Sequence, residues 1–234
     1  EKTANVLQPS YRSDVILLFP EPGAYCVLDQ PLSGTSSVNL ADGEQRLMAR
    51  VEVTGETTAP PIRAQIEAAL MAGARTLPET VRERVRGDLA DGLGLAAFVW
   101  HADVGEAEVT GHQQPAFSID VTGPSVRFGI DHRACDPERI DRYLTLGGVD
   151  EWTLTSTLAS HPFHIHVNPF QVVHILNPDG IDVTDPALPY AQRLALEDGD
   201  PQYLDLKGVW KDTLFTKQGY RLVIRTRYQR YIGE

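Results

Sequence analysis

Three of the chain's seven histidines fall within six positions, in the run HPFHIHVNPF from His161 to Phe170. The longer run PFHIHVNPFQVVHI alternates and is rich in β-branched and aromatic residues, so it reads as a strand. On a strand, residues two apart share a face, so His164 and His166 point the same way. His161 lies three positions before His164 and points to the opposite face. Two imidazoles on one face and a third on the other suit two metal centres flanking one strand. Neutral imidazole is a good ligand for copper, zinc, iron and nickel. A lone histidine in a strand is more often satisfied by hydrogen bonds, but three at this spacing favour a metal.

The surrounding sequence points to a β-rich frame. Short runs with strand character recur from Leu95 onward, namely AAFVWHA, AEVTG, FSIDVTG, VRFGI, YLTLG, VDEWTLTS, DTLFT and RLVIRTRYQ, with turn residues between them. Many short strands separated by turn signals read as an all-β sandwich. Residues 1–56 carry similar runs, DVILLF, YCVLD and RLMARVEV. Between them, residues 57–94 change character. After Pro60 and Pro61, Ile66, Leu70 and Met71 recur at helical spacing, and Pro78 opens a second helical stretch with Val81, Val85 and Leu89 on one stripe. Gly87, Gly92 and Gly94 end it. That stripe is expected to pack against a sheet, with a substrate loop or a subunit contact as the less favoured reading.

Composition removes several function classes. The formal net charge of −11 argues against nucleic acid, which calls for clustered Lys and Arg. No apolar run approaches the roughly 18 residues of a membrane helix. There is no GxSxG, Walker A, GxGxxG, HExxH or paired CxxC sequence, so the histidine motif is the one specific chemical signal.

The stretch DEWTLTSTLASHPFHIHVNPFQVV, Asp150 to Val173, resembles the third cupredoxin domain of multicopper oxidases, the laccase-like family. Downstream, VWKDTLFTKQGYRLVIRTRYQRYIGE resembles that family's WKDT segment and the strand after it. Upstream, SYRSDVILLFPEPGAYCVLD resembles the end of its second domain. The resemblance implies a mostly β chain, a cupredoxin-like Greek-key β-sandwich with a short helical insertion around residues 62–92. Residues 1–56 would close a preceding cupredoxin-like domain, 57–94 would be a linker or helical insertion, and 95–234 a carboxy-terminal cupredoxin domain lacking its last copper-ligand strand.

It also implies roles. His161 would bind the type 1 (blue) copper, His164 the type 2 copper and His166 one of the type 3 pair. A phenolic or metal-ion donor would be oxidised one electron at a time, and O2 would be reduced to water. A periplasmic or secreted setting is implied, and homo-oligomerisation is left open. The family's HCHxxxH motif has no counterpart here, and Glu1 begins amid the second-domain resemblance, so the chain is expected to be an internal portion of a longer protein. The alternatives are a non-catalytic cupredoxin-fold module that binds copper or a protein, and a copper nitrite reductase-like protein.

The other candidates read more plainly. Cys26 is expected to be a small buried hydrophobe, and Cys135 to lie in a solvated loop near His132. A Cys26–Cys135 disulfide would suit an exported family member, but two cysteines do not establish it. His101 is expected to be structural, His112 exposed, and His174 too far along the strand to share a metal with His166. Trp152 is expected in the core. Asp212, in the WKDT segment, reads as a surface turn, with support of a metal-bound imidazole as the second reading.

Overall fold

The computed structural model describes residues 5–229, apart from positions 14, 16, 18, 20, 32, 35, 36, 38–40, 57–60 and 91–100. The AAFVW run, alternate residues of DVILLF, and Gly92 and Gly94 therefore lie outside the described residues. Two compact units emerge. One gathers residues 1–13, 30–44 and 101–234, and the other residues 14–29 and 45–100.

The smaller unit holds strands β1 (Gly23–Asp29) and β2 (Arg46–Val53), paired antiparallel, and helices α1 (Ile62–Ala74) and α2 (Glu79–Ala90). α1 starts immediately after Pro61, whose fixed φ suits a helix entrance and whose missing N–H costs nothing there. Pro78 plays the same part for α2, its carbonyl accepting from Arg82 N. The side chains of Val81 and Leu89 are not among those described, so their expected stripe stands apart from the structure. Cys26 is exposed on β1, contrary to expectation. The β1–β2 ribbon is solvent-facing along nearly its whole length, so alternation there marks no core face.

The larger unit carries β3 (Gly111–Gln113), β4 (Ala116–Asp120), β5 (Arg127–Ile130), β6 (Val149–Ser156), β7 (His161–His164), β8 (Phe170–Leu176), α3 (Tyr190–Leu196), β9 (Trp210–Lys211), β10 (Thr213–Thr216) and β11 (Arg221–Arg227). One sheet runs β5-β4-β6-β11-β8-β9, with β3 also on β6. A separate ladder joins β10 to β7. β4 and β3 run parallel to β6, and the other pairings are antiparallel. The chain is thus mostly β, a curled cupredoxin-like sandwich with a helical insertion.

The core follows from alternation. On β6, Trp152, Leu154 and Ser156 turn inward, with Leu154 fully buried. Trp152 and Leu154 meet Phe170, Val172 and Ile175 of β8 and Leu222 and Ile224 of β11. Trp152 Nε1–H donates to Tyr228 Oη at 2.8 Å, so the buried indole keeps a partner. Three strand expectations fail. AEVTG forms a 3-10 turn over Glu106–Glu108, and YLTLG is irregular. The histidine run breaks into β7 and β8, because Val167 sits at φ 69° and turns the chain.

A polar knot is buried where α3 meets the β10–β11 turn. Lys217 Nζ lies 3.0 Å from Glu197 Oε2 and 2.9 Å from Asp200 Oδ2. Tyr220 Oη–H donates to Glu197 Oε1 at 2.8 Å. The Glu197 side chain is fully buried and that of Lys217 is 5% exposed. Burial pushes the Glu197 carboxyl above its ordinary value, against the opposing pull of Lys217 and Tyr220.

Candidate metal centre

β7 is only four residues long, and among the described residues it pairs with β10 alone, in the register His164↔Thr213 and His161↔Thr216. All three motif histidines are exposed. The rings of His164 and His166 approach edge-on with centroids 4.9 Å apart. The ring of His161 stands apart from them, stacked on Phe117 at 4.4 Å. The structure therefore brings His164 and His166 together and leaves His161 in other company. His161 and His164 both line a cleft of about 880 Å3, with Phe117, Trp152, Phe163 and Cys135 also on its walls.

Hydrogen bonding decides which imidazole nitrogen is free. His164 Nδ1 lies 2.8 Å from the Asp212 carbonyl oxygen, which can only accept. Nδ1 therefore carries the proton and donates it, and the lone pair is on Nε2. His161 Nδ1 likewise donates to the Pro162 carbonyl at 2.8 Å. A neutral imidazole with one N–H tied to a carbonyl and the other nitrogen basic is the form a copper ion takes as ligand. The donor set thus fits the metal implied by the motif. Among the described residues, no group of three or more His, Cys, Asp or Glu side chains is arranged to hold a metal ion.

The support beneath His164 comes from the β9–β10 bend. Asp212 O also accepts from Ile165 N at 3.1 Å, which locks the end of β7 to that bend. Thr213 Oγ1 is 2.9 Å from His164 Nδ1 and 3.3 Å from Asp212 Oδ1. The Asp212 carboxylate pairs with Arg12. Burial pushes this carboxyl up, but the Arg12 hydrogen bond and charge outweigh it and hold the group below its ordinary value. Asp212 is thus both a bend residue and a support of the imidazole. Arg12 and Thr213 lay inside the two resembling stretches, SYRSDVILLF and WKDT, but neither was marked out as a site residue.

The remaining histidines lie elsewhere. His174 Nδ1 is 2.7 Å from Asp182 Oδ2, His101 packs on Trp210 with ring centroids 4.7 Å apart, and His112 is exposed on β3. Cys26 and Cys135 are both free thiols, so the disulfide is not formed.

A multicopper oxidase sequence profile matches residues 108–232, more than half of the chain, and spans every element from β3 to β11. The chain belongs to the multicopper oxidase family. Among solved structures, a multicopper oxidase from Campylobacter jejuni described as a metallo-oxidase matches over 90% of this chain and 36% of its own. The identity is 15% and the TM-score 0.53. The McoA multicopper oxidase of the hyperthermophile Aquifex aeolicus matches over 90% and 35%, at 14% identity and a TM-score of 0.49. The chain spans about a third of the length of these structures. No curated protein sequence matches it significantly. Multicopper oxidases are copper-dependent oxidoreductases, and the first of these likenesses supports the shared fold. Among the described residues, no helix is long and apolar enough to cross a membrane.

Proposed function

We propose that this multicopper oxidase chain supplies His161, His164 and His166 to copper centres that couple one-electron oxidation of phenolic or metal-ion donors to reduction of O2 to water. The reading carries over the family's motif: His161 to the type 1 copper, His164 to the type 2 copper and His166 to the type 3 pair. Residues 95–234 form the carboxy-terminal cupredoxin domain in this reading, residues 1–56 end the preceding one, and residues 57–94 are the insertion between them. Further ligands come from polypeptide other than the described residues. An exported or periplasmic setting goes with the same proposal, and homo-oligomerisation is open.

When bound, copper supplies one-electron redox chemistry and a site for dioxygen. The chain's own contribution is orientation. The Asp212 carbonyl holds the Nδ1–H of His164, and Pro162 does the same for His161, so each ring presents Nε2. The observation that carries the proposal is the His164–His166 ring pair at 4.9 Å, with the His164 tautomer fixed by a carbonyl.

The test is titration of the purified chain with Cu(II), followed by electron paramagnetic resonance and native mass spectrometry. Copper coordinated by imidazole nitrogen is expected, with strong loss in His164→Ala and in His166→Ala. Unchanged binding in both variants would sink the ligand assignment. Oxygen uptake with a phenolic donor, by a polypeptide that also holds the remaining ligands, separates the oxidase from a non-catalytic copper module.

A further inference from the structure

Residues 8–12 lie against the β9–β10 bend, about 200 positions away in sequence, within the larger unit. Gln8 is buried, and its Nε2 donates to Gln202 Oε1 at 3.4 Å. The Tyr11 hydroxyl accepts from Phe215 N at 2.8 Å, and the Lys211 ammonium sits 4.2 Å from the Tyr11 ring centroid. Arg12 Nη1 donates to Ser10 O at 2.8 Å, and Nη2 pairs with Asp212 Oδ2.

Donor and acceptor chemistry makes this a directed relay. A guanidinium has only donors and a carboxylate only acceptors. Arg12 therefore fixes Asp212 through Oδ2 and leaves Oδ1 facing the Thr213 hydroxyl. That hydroxyl gives its hydrogen to Oδ1, so its oxygen has only lone pairs left for its other neighbour, His164 Nδ1 at 2.9 Å. The Asp212 carbonyl, 2.8 Å from the same Nδ1, accepts that proton too, so Arg12 steadies a residue that holds the ring through both its backbone and its side chain.

We infer that Arg12 is a positioning residue for His164, acting through Asp212 and Thr213 to hold the imidazole with Nε2 outward. The inference rests on His164 being a metal ligand as proposed above. Its setting argues for geometry over stability. The Arg12 and Asp212 side chains are 64% and 38% exposed, and exposed ion pairs contribute little to folding. Groups that orient a metal-bound imidazole from behind typically change metal affinity by roughly 10–100-fold when removed.

The test uses the whole chain, with Cu2+ alone as the probe, titrated against a competing chelator. Arg12→Ala is expected to bind Cu2+ roughly tenfold more weakly while its thermal midpoint stays put. Arg12→Lys, which keeps the cation, recovers most of that loss, and Thr213→Val reproduces it from the other end of the relay. Long-range 1H–15N spectra of the metal-free chain give a second readout. His164 is expected as the Nδ1–H tautomer in every chain, held by the Asp212 carbonyl, with its ring signals sharp in the parent and broadened in Arg12→Ala and Thr213→Val. Parent-like affinity and parent-like His164 ring signals in both variants overturn the inference. Parent-like Cu2+ binding by His164→Ala overturns the ligand assignment instead, while the ring signals still decide whether Arg12 positions the ring.

Discussion

Lys217→Met is expected to be among the most damaging single changes to the larger unit. Lys217 is the cation between Glu197 and Asp200, with Glu197 fully buried. Removing it leaves a buried carboxylate without its counter-charge, a change that costs about 3–5 kcal/mol. Against a typical total of roughly 5–15 kcal/mol, that is a large share. At about 2–4 °C per kcal/mol for a domain of this size, the midpoint drops by roughly 6–20 °C.

The pH dependence has a definite sign. Burial raises the folded Glu197 carboxyl above its ordinary 4.5, so its contribution is fully present below 4.5 and is lost as pH rises through the folded value. Without Lys217, a lowering influence disappears and the folded value moves further up. The deficit of Lys217→Met is therefore small near pH 4 and grows toward neutrality. Urea unfolding of both chains at several pH values between 4 and 8 measures it. A second variant, Lys217→Met with Glu197→Leu and Asp200→Asn, removes all three charges of the knot and recovers most of the loss. A deficit under about 1 kcal/mol at neutral pH, or one that does not change with pH, would refute the reasoning.

Three further outcomes are expected. Thr216 Oγ1 is buried with no hydrogen-bond partner among the described residues, so Thr216→Val stabilises by about 1–2 kcal/mol in urea unfolding; a loss of stability would show a hidden partner. Val167 is 60% exposed at φ 69°, a conformation costly for a β-branched residue, so Val167→Gly gains about 1 kcal/mol net of glycine's own entropy, read from the midpoint of thermal unfolding. Burial pushes Asp182 up, but bonds from Thr184, His174 and the backbone outweigh it and bring the carboxyl down to about 2. Its stabilisation is therefore present above 3.8 and lost as pH falls through about 2, so the parent's acid unfolding over that range is steeper than that of Asp182→Asn.

Much of the fold was legible because the strands of the larger unit obey simple alternation. VDEWTLTS has one buried face, and both that run and RLMARVEV form strands with the bounds the pattern suggests. The prolines marked both helix entrances. What escaped was governed by tertiary context. Nothing local in HIHVNPF shows that Val167 turns left-handed and splits the run, because valine is a poor choice for that conformation. Cys26 reads as a core residue in an apolar run, yet the ribbon it belongs to is solvent-facing. In the candidate centre the histidine pair was visible as spacing. Its support was visible only in part: Asp212 was the second reading of the WKDT segment, whereas Thr213 meets His164, and Arg12 meets Asp212, only through folding of distant segments.

The short ladder between β7 and β10 also sets an order of events. His164 faces Thr213, 49 positions later, and among the described residues β7 has no other strand partner. Closing so long a loop costs entropy before any bond is gained, and non-local pairing of this kind forms slowly. A nascent or unfolded chain holds the HIH sequence but not the carbonyl that selects its tautomer. Metal taken up early would meet either ring nitrogen, whereas metal taken up after β10 docks meets Nε2. With His164 a copper ligand as proposed above, folding would precede correct metallation, and copper present during refolding is expected to yield more mismetallated chain than copper added afterwards.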